Sequence, residues 1–109
     1  MYTRIAVAQM DAAPDPADNL QAAAHFAAGG QGGAGLLMLS EYNMTYPVHR
    51  LAGGMAFPGG QSLDGPFVSG LRTLARAHRL WITCGVIEQA GGEPRAQNTK
   101  VMVPGNGGL

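Results

Sequence analysis

Glu41 and Cys84 are the first candidates for reaction chemistry in this sequence. Glu41 follows the apolar segment 36–39 and is followed by the aromatic residues Tyr42 and Tyr46. A carboxylate acts as a general base when its surroundings tune its pKa, and burial beside two aromatic rings would do so. Most glutamates are solvated surface groups, so residue type and position alone favour a surface role for Glu41.

Cys84 is the only cysteine in the chain. A thiolate is a strong nucleophile, which makes a single thiol a candidate for catalysis. Cys84 lies within the apolar segment 81–86, however, and free cysteines are among the most buried residue types. We therefore interpret Cys84 as a packing residue. Because a single cysteine cannot form an internal disulfide, the cysteine content gives no sign of an oxidising compartment.

The other metal-binding and charged residue types form no recognisable site. No metal-ligand spacing relates the three histidines, and no cysteine or carboxylate cluster accompanies them. These histidines are His25, His49 and His78. The glycine-rich segment 29–35 connects a predicted helix to a predicted strand, which is the wrong order for a phosphate-binding loop. Arg72, Arg76 and Arg79 are interpreted as a solvated stripe on a helix.

Hydrophobic periodicity predicts four strands and two helices in the order β-α-β-loop-α-β-β, an α/β layered fold. The strands are expected at 4–9, 36–39, 80–86 and 98–103, and the first helix at 16–28, after the N-cap residue Asp15. Residues 64–66 open the second helix, whose apolar face carries Phe67, Leu71, Leu74, Ala75 and His78. The last two strands follow each other closely, as in a hairpin. The continuous apolar run 36–39 indicates a strand covered on both faces. Segment 42–61 is predicted to be a loop with a short helical turn around 48–52.

Composition narrows the class of protein. The chain has 109 residues, with 7 basic and 7 acidic side chains. It is expected to form a single domain, and it has no cationic run that would favour nucleic acid or an anionic membrane. No stretch approaches the roughly 20 apolar residues of a membrane span, so a soluble, cytoplasmic protein is expected. With 17 glycines and 7 prolines the core should be thin for an independent domain.

Four segments together resemble the nitrilase superfamily of carbon–nitrogen hydrolases. They are RIAVAQMDAAPDPADNLQAA at 4–23, GAGLLMLSEYNMTYP at 33–47, LARAHRLWITCGVIEQ at 74–89 and QNTKVMVPGNGGL at 97–109. They cover almost the whole chain in the family's order and spacing. The resemblance is therefore more specific than any single motif would be.

The resemblance implies an αββα sandwich, of which this chain would form a part, and hydrolysis of amides, nitriles or N-carbamoyl compounds without a metal or organic cofactor. Family members use a glutamate, a lysine and a cysteine, and Glu41 matches the glutamate. That glutamate takes the proton of the cysteine thiol before attack, and the lysine stabilises the developing oxyanion. Tyr46 is a candidate substrate-binding residue, with ordinary packing as its alternative.

The chain departs from the family pattern at three points. Ser40 stands where the family more often has proline before the glutamate. The family's lysine follows the turn after the last strand, and the sequence reaches Leu109 before that point. The family's nucleophilic cysteine lies further on. We therefore expect residues 1–109 to be the N-terminal part of one carbon–nitrogen hydrolase domain, with Glu41 as its only catalytic group.

Two charged residues are set aside by the same comparison. Lys100, the only lysine, falls inside the predicted strand 98–103, before the turn that precedes the family's lysine. It is interpreted as a solvated strand residue. Glu88 ends the strand before it, as Glu41 ends its own, and is interpreted as a structural hydrogen-bonding residue.

A hypothesis from another class is a truncated, non-catalytic α/β module that acts in binding or assembly. Reading the coding sequence beyond Leu109 would separate the two hypotheses. If the protein is an enzyme, its expected partner is a small amide or nitrile substrate, with no nucleic acid and no membrane. The full-length form is expected to be a homo-oligomer, because members of the family commonly self-associate.

Overall fold

The computed structural model describes residues 4–29, 35–40, 44–45, 50–51, 54–55, 60–89 and 96–108. In chain order the elements are β1 (Ile5–Val7), α1 (Pro16–Ala28), β2 (Leu36–Met38), β3 (Arg50–Leu51), β4 (Gly54–Met55), α2 (Pro66–His78), β5 (Trp81–Glu88) and β6 (Gln97–Val103). Four of the strands form one sheet in the order β1-β2-β5-β6. The predicted α/β order is confirmed.

The sheet is mixed. β2 pairs in parallel with β1 on one side and with β5 on the other. α1 and α2 provide the crossovers that parallel neighbours require. β5 and β6 pair antiparallel, which confirms the predicted hairpin. The short helical turn expected around 48–52 is wrong, because Arg50–Leu51 forms a strand that pairs antiparallel with Gly54–Met55.

The two helices begin through different local interactions. The Asp15 side chain accepts a hydrogen bond from the Ala17 amide at 2.9 Å, and Pro16 occupies the first helical position of α1. The N-cap residue of α2 is Gly65, which has no side chain with which to cap the helix. Instead, the Gln61 side chain oxygen accepts a hydrogen bond from the Phe67 amide at 2.9 Å.

Both helices contribute to one hydrophobic core on one face of the sheet. Its members include Ala23 and Ala27 from α1, Phe67, Leu71 and Ala75 from α2, and Leu37, Ile82, Cys84, Val101 and Val103 from the strands. Small residues on α1 let that helix pack closely. Neither described helix has the length and apolarity that a membrane span requires.

The other face of the sheet lacks a helix layer among the described residues. Ile5, Leu36 and Trp81 lie directly opposite one another across three strands, and Val7, Met38, Thr83 and Met102 form the next such row. Of these side chains Val7 is 76% exposed, Ile5 53%, Met102 50% and Trp81 47%. We call these four residues the bare sheet face. Leu36 and Met38, which share this face, are half-buried, so the described residues cover both faces of segment 36–39 only in part.

The contact between α1 and α2 gives a stability prediction. A Cβ added at Gly70 would clash with the Cδ2 atom of Leu20 and lie 2.9 Å from its Cδ1 atom. Overpacking typically costs about 1–3 kcal/mol, whereas replacing glycine by alanine in a helix normally gains about 1 kcal/mol. Because the nearest atoms lie at the end of a flexible side chain that can partly move aside, we expect Gly70→Ala to change the free energy of unfolding, measured by urea denaturation, less favourably than alanine normally does in a helix. In a Leu20→Ala background the same substitution should raise it, and an equal effect in both backgrounds would contradict this contact.

Candidate functional site

The carboxyl end of β2 lies at the end of the sheet where the chain beyond β2 stays hydrogen-bonded to its neighbour β5. Beyond Met38, the Leu39 amide donates to the Thr83 carbonyl at 2.8 Å, and the Ser40 carbonyl accepts from the Gly85 amide at 3.4 Å. Ser40 therefore lies beside the middle of β5. In open sheets with parallel strands, ligands commonly bind outside the carboxyl ends of those strands.

The residues predicted from sequence to form the site follow this edge along the chain. Glu41, Tyr42 and Tyr46 lie outside the described residues. Ser40 is the last described residue before Glu41, and Met44 is the first described residue after it. The catalytic role of Glu41 and the binding role of Tyr46 stay predictions.

A buried polar network holds segment 44–45, which follows Glu41 in the sequence. Met44 and Thr45 are 1% and 0% exposed, and Asn19 is 2% exposed. The Asn19 side chain amide donates to the Met44 carbonyl at 2.8 Å and to the Ala13 carbonyl at 2.7 Å, while its oxygen accepts from the Ala13 amide at 2.8 Å. The Thr45 hydroxyl donates to the Pro14 carbonyl at 2.6 Å. Two of these bonds reach segment 44–45, one from Asn19 in α1 and one to Pro14 before that helix, while the other two hold the Asn19 side chain against Ala13.

Sequence reasoning missed Asn19 and Thr45. One signal was present for Asn19, which lies four residues before Ala23 and eight before Ala27, on the buried stripe of α1. A polar residue on such a stripe needs partners, because burying an unpaired amide is costly. Thr45 gave no comparable signal, since it lies in a segment without a sustained period.

Cys84 lies in the middle of β5 and is fully buried. Its thiol donates to the Gly85 carbonyl at 3.4 Å. Burial raises the pKa of the Cys84 thiol from 9.0 to about 12, and the positive charge of Lys100 opposes this only in part. A thiol that stays protonated is a poor nucleophile, so the interpretation of Cys84 as a packing residue is confirmed.

Glu88 and Lys100 occupy the structural roles expected from their positions. Glu88 is half-buried and accepts a hydrogen bond from the Thr99 hydroxyl at 2.9 Å, across the β5–β6 ladder. Lys100 is exposed on β6, opposite Gly85.

The arginine stripe on α2 differs in one position from the sequence-based interpretation. Arg76 and Arg79 are exposed, as expected for a solvated stripe. Arg72 is half-buried and its Nε donates to the Gly107 carbonyl at 2.8 Å, so it holds the turn after β6 against the helix. His49 lies outside the described residues. Among the residues that are described, no group of three or more histidine, cysteine or acidic side chains could hold a metal ion.

The fold and the edge at Ser40 define an α/β protein with a candidate site at the carboxyl end of a parallel strand. Residues 4–109 match the carbon-nitrogen hydrolase family, and the chain belongs to that family. Among curated protein sequences, none matches the chain significantly.

Solved structures share this fold across almost the whole chain. An amidase from Nesterenkonia sp. is 25% identical with a TM-score of 0.72, and the match covers 96% of this chain and 39% of the amidase. A CN-hydrolase superfamily protein from Xanthomonas campestris, solved with an arsenic adduct in its active site, is 23% identical with a TM-score of 0.78, covering 99% of this chain and 39% of that protein. The NitFhit protein of C. elegans is 22% identical with a TM-score of 0.74, and the match covers 98% of this chain and 27% of that protein. The chain thus spans about two-fifths of the length of the first two relatives, and about a quarter of the third.

The burial of Cys84 predicts how its reactivity depends on pH. In the folded chain the rate of alkylation by iodoacetamide should keep rising above pH 9 toward pH 12, because the thiolate forms only near the raised pKa. In urea the rate should level off near pH 9. The folded chain keeps a proton that the unfolded chain releases above pH 9, so this group should lower stability progressively between pH 9 and pH 12. Identical pH profiles in the two states would contradict a buried, protonated thiol.

Proposed function

We propose that this chain is the N-terminal part of a single hydrolase domain that acts on non-peptide carbon–nitrogen bonds in amide, nitrile or N-carbamoyl substrates. The observation that carries the proposal is the family match over residues 4–109. The structural similarity to an amidase of 25% identity supports it, and among the three substrate classes it favours amides.

In the proposed mechanism Glu41 is the general base. It takes the proton of a cysteine thiol, and the thiolate adds to the substrate carbon. For an amide, the tetrahedral intermediate then collapses, the nitrogen leaves as ammonia or an amine after receiving the proton that Glu41 had taken, and a thioester remains. Water, deprotonated by the same carboxylate, hydrolyses the thioester and regenerates the thiol. A lysine stabilises the negative oxygen of each tetrahedral intermediate.

The described geometry supports this assignment of the base. Glu41 directly follows Ser40, whose carbonyl is bonded to β5 at the carboxyl edge of the sheet. Within the chain, the candidate nucleophile Cys84 is unsuited because it is buried in the core. The candidate oxyanion-stabilising lysine, Lys100, is exposed on β6. The family's lysine and cysteine come later in its order, so we propose that sequence outside these 109 residues supplies them. Tyr46 is proposed to line the substrate pocket.

A second candidate function rests on the bare sheet face. Four large apolar side chains are each 47% or more exposed there. Exposed apolar patches commonly mark association surfaces. If this chain acts alone, the face favours a binding or assembly module that pairs with a second copy. If it is part of a complete domain, we propose that the rest of the domain covers this face and that the full protein is a homo-oligomer.

The role of Glu41 predicts the effect of a single substitution in the full-length protein. Glu41→Gln should lower kcat for a simple amide by about 100-fold or more, because general base catalysis is typically worth 10²–10⁴-fold. Glu88→Gln is the matched control, since it also changes a carboxylate near the end of a parallel strand, and it should retain activity. Both variants should keep the wild-type circular dichroism spectrum. Wild-type rates in Glu41→Gln would exclude it as the base.

The 109-residue chain by itself should show no amidase or nitrilase activity and should self-associate. Analytical ultracentrifugation is expected to detect oligomers that bury the bare sheet face. Val7→Lys should reduce this association, because residue 7 is 76% exposed on that face. Gln21→Lys, an exposed position on α1 and so away from that face, should leave it unchanged. A monomer with a sharp cooperative melt would argue against an incomplete fold.

A further inference from the structure

We infer that Asn19 and Thr45 are positioning residues for the proposed reaction, because they fix the chain that follows Glu41. This inference rests on the proposed function. Neither residue is expected to touch the substrate. Their effect would pass through the backbone between the end of β2 and segment 44–45.

Both ends of the short connection that contains Glu41 are anchored. On one side the Ser40 carbonyl accepts from the Gly85 amide in β5. On the other side the Met44 carbonyl accepts from the Asn19 side chain, and the Thr45 hydroxyl donates to the Pro14 carbonyl. Only three residues, 41–43, connect these anchors in sequence. In sequence, Glu41 is therefore one residue from the first anchor and three residues from the second.

The anchor after Glu41 is built from buried groups. Asn19, Met44 and Thr45 are each 2% exposed or less. The Asn19 amide uses both of its donor hydrogens and one acceptor site, which fixes the orientation of the side chain. Hydrogen bonds away from water are strong, and a group that loses its partner there is not rescued by solvent.

The bonds also join parts of the chain that are distant in sequence. The Asn19–Met44 bond spans 25 residues and the Thr45–Pro14 bond spans 31. Two side chains, one from α1 and one from the returning segment, thus link the same pair of segments. Such a double tie restricts both translation and rotation of segment 44–45. General base catalysis depends on placement of this kind, since a shift of about 1 Å can reduce a rate by about 100-fold.

The test uses the full-length protein and four substitutions. Thr45→Val removes the hydroxyl with almost no change of shape, and Thr45→Ser keeps it. Thr83→Val is the matched control, because Thr83 is likewise buried, with 2% exposure against 0% for Thr45, and its hydroxyl also donates to a backbone carbonyl, that of Val101 at 3.1 Å. Asn19→Ala removes the second tie. All variants are assayed for kcat and KM on a simple amide at a temperature where each is fully folded.

For Thr45→Val we expect kcat to fall by about 10-fold to 100-fold with KM changed less than about 2-fold, since placement of the base affects the chemical step more than binding. Thr45→Ser should restore most of the rate, and Thr83→Val should retain it. If Asn19→Ala does not fold, the three threonine variants are sufficient to test the inference. Equal kcat values in Thr45→Val and Thr83→Val would overturn the inference.

Hydrogen exchange of the backbone amides separates this inference from the proposed function. Thr45→Val should speed exchange at residues 40, 44 and 45 while leaving β5 and β6 protected, and Thr83→Val should not produce this local pattern. A full-length protein without hydrolase activity would refute the proposed function, and the exchange data would still test the tie. Equal exchange in both variants across the whole chain would refute the tie itself.

Discussion

The parallel pairing of β2 on both of its sides is the constraint on which the rest of this structure depends. β2 has only three residues, and each one is matched in register with a residue of β1 and a residue of β5. A slip of one residue would turn Leu37 out of the helix-covered core and bring its neighbours in. The same pairing delivers Ser40 to the side of β5. The hydrophobic core and the proposed catalytic edge therefore depend on a single register.

The one-sided cover of the sheet explains much of the composition. On the helix side, small residues such as Ala23 and Ala75 are completely buried, and Gly70 brings α2 against Leu20 of α1. Close packing of small residues gives a thin core with limited buried area. On the other side, the bare sheet face presents large apolar groups for which the described residues provide no layer. Among the described residues, the large apolar groups therefore divide between a core of small residues on the helix side and the bare sheet face on the other.

Local signals predicted those features whose causes are local. α1 was predicted at its observed bounds, because Asp15, Pro16 and Gly29 mark its ends directly. The helical turn predicted around 48–52 was wrong, because turn-forming residues do not reveal that Arg50–Leu51 pairs with Gly54–Met55. The end of α2 was also poorly marked, because Arg79, rather than a glycine, adopts the left-handed conformation there with φ of 49°. At the site, the burial of Cys84 followed from its apolar neighbours. Arg72, whose partner lies 35 residues away, could not be placed from sequence.

The departure at position 40 fits the same geometry. Proline, the residue expected there from the resemblance to the family, lacks a backbone N–H. The contact that joins this position to β5 uses the Ser40 carbonyl as acceptor of the Gly85 amide, and a carbonyl is present in serine and proline alike. The serine therefore preserves the link between β2 and β5 that immediately precedes Glu41. What the two residues do not share is the restriction of φ, because only proline fixes that angle.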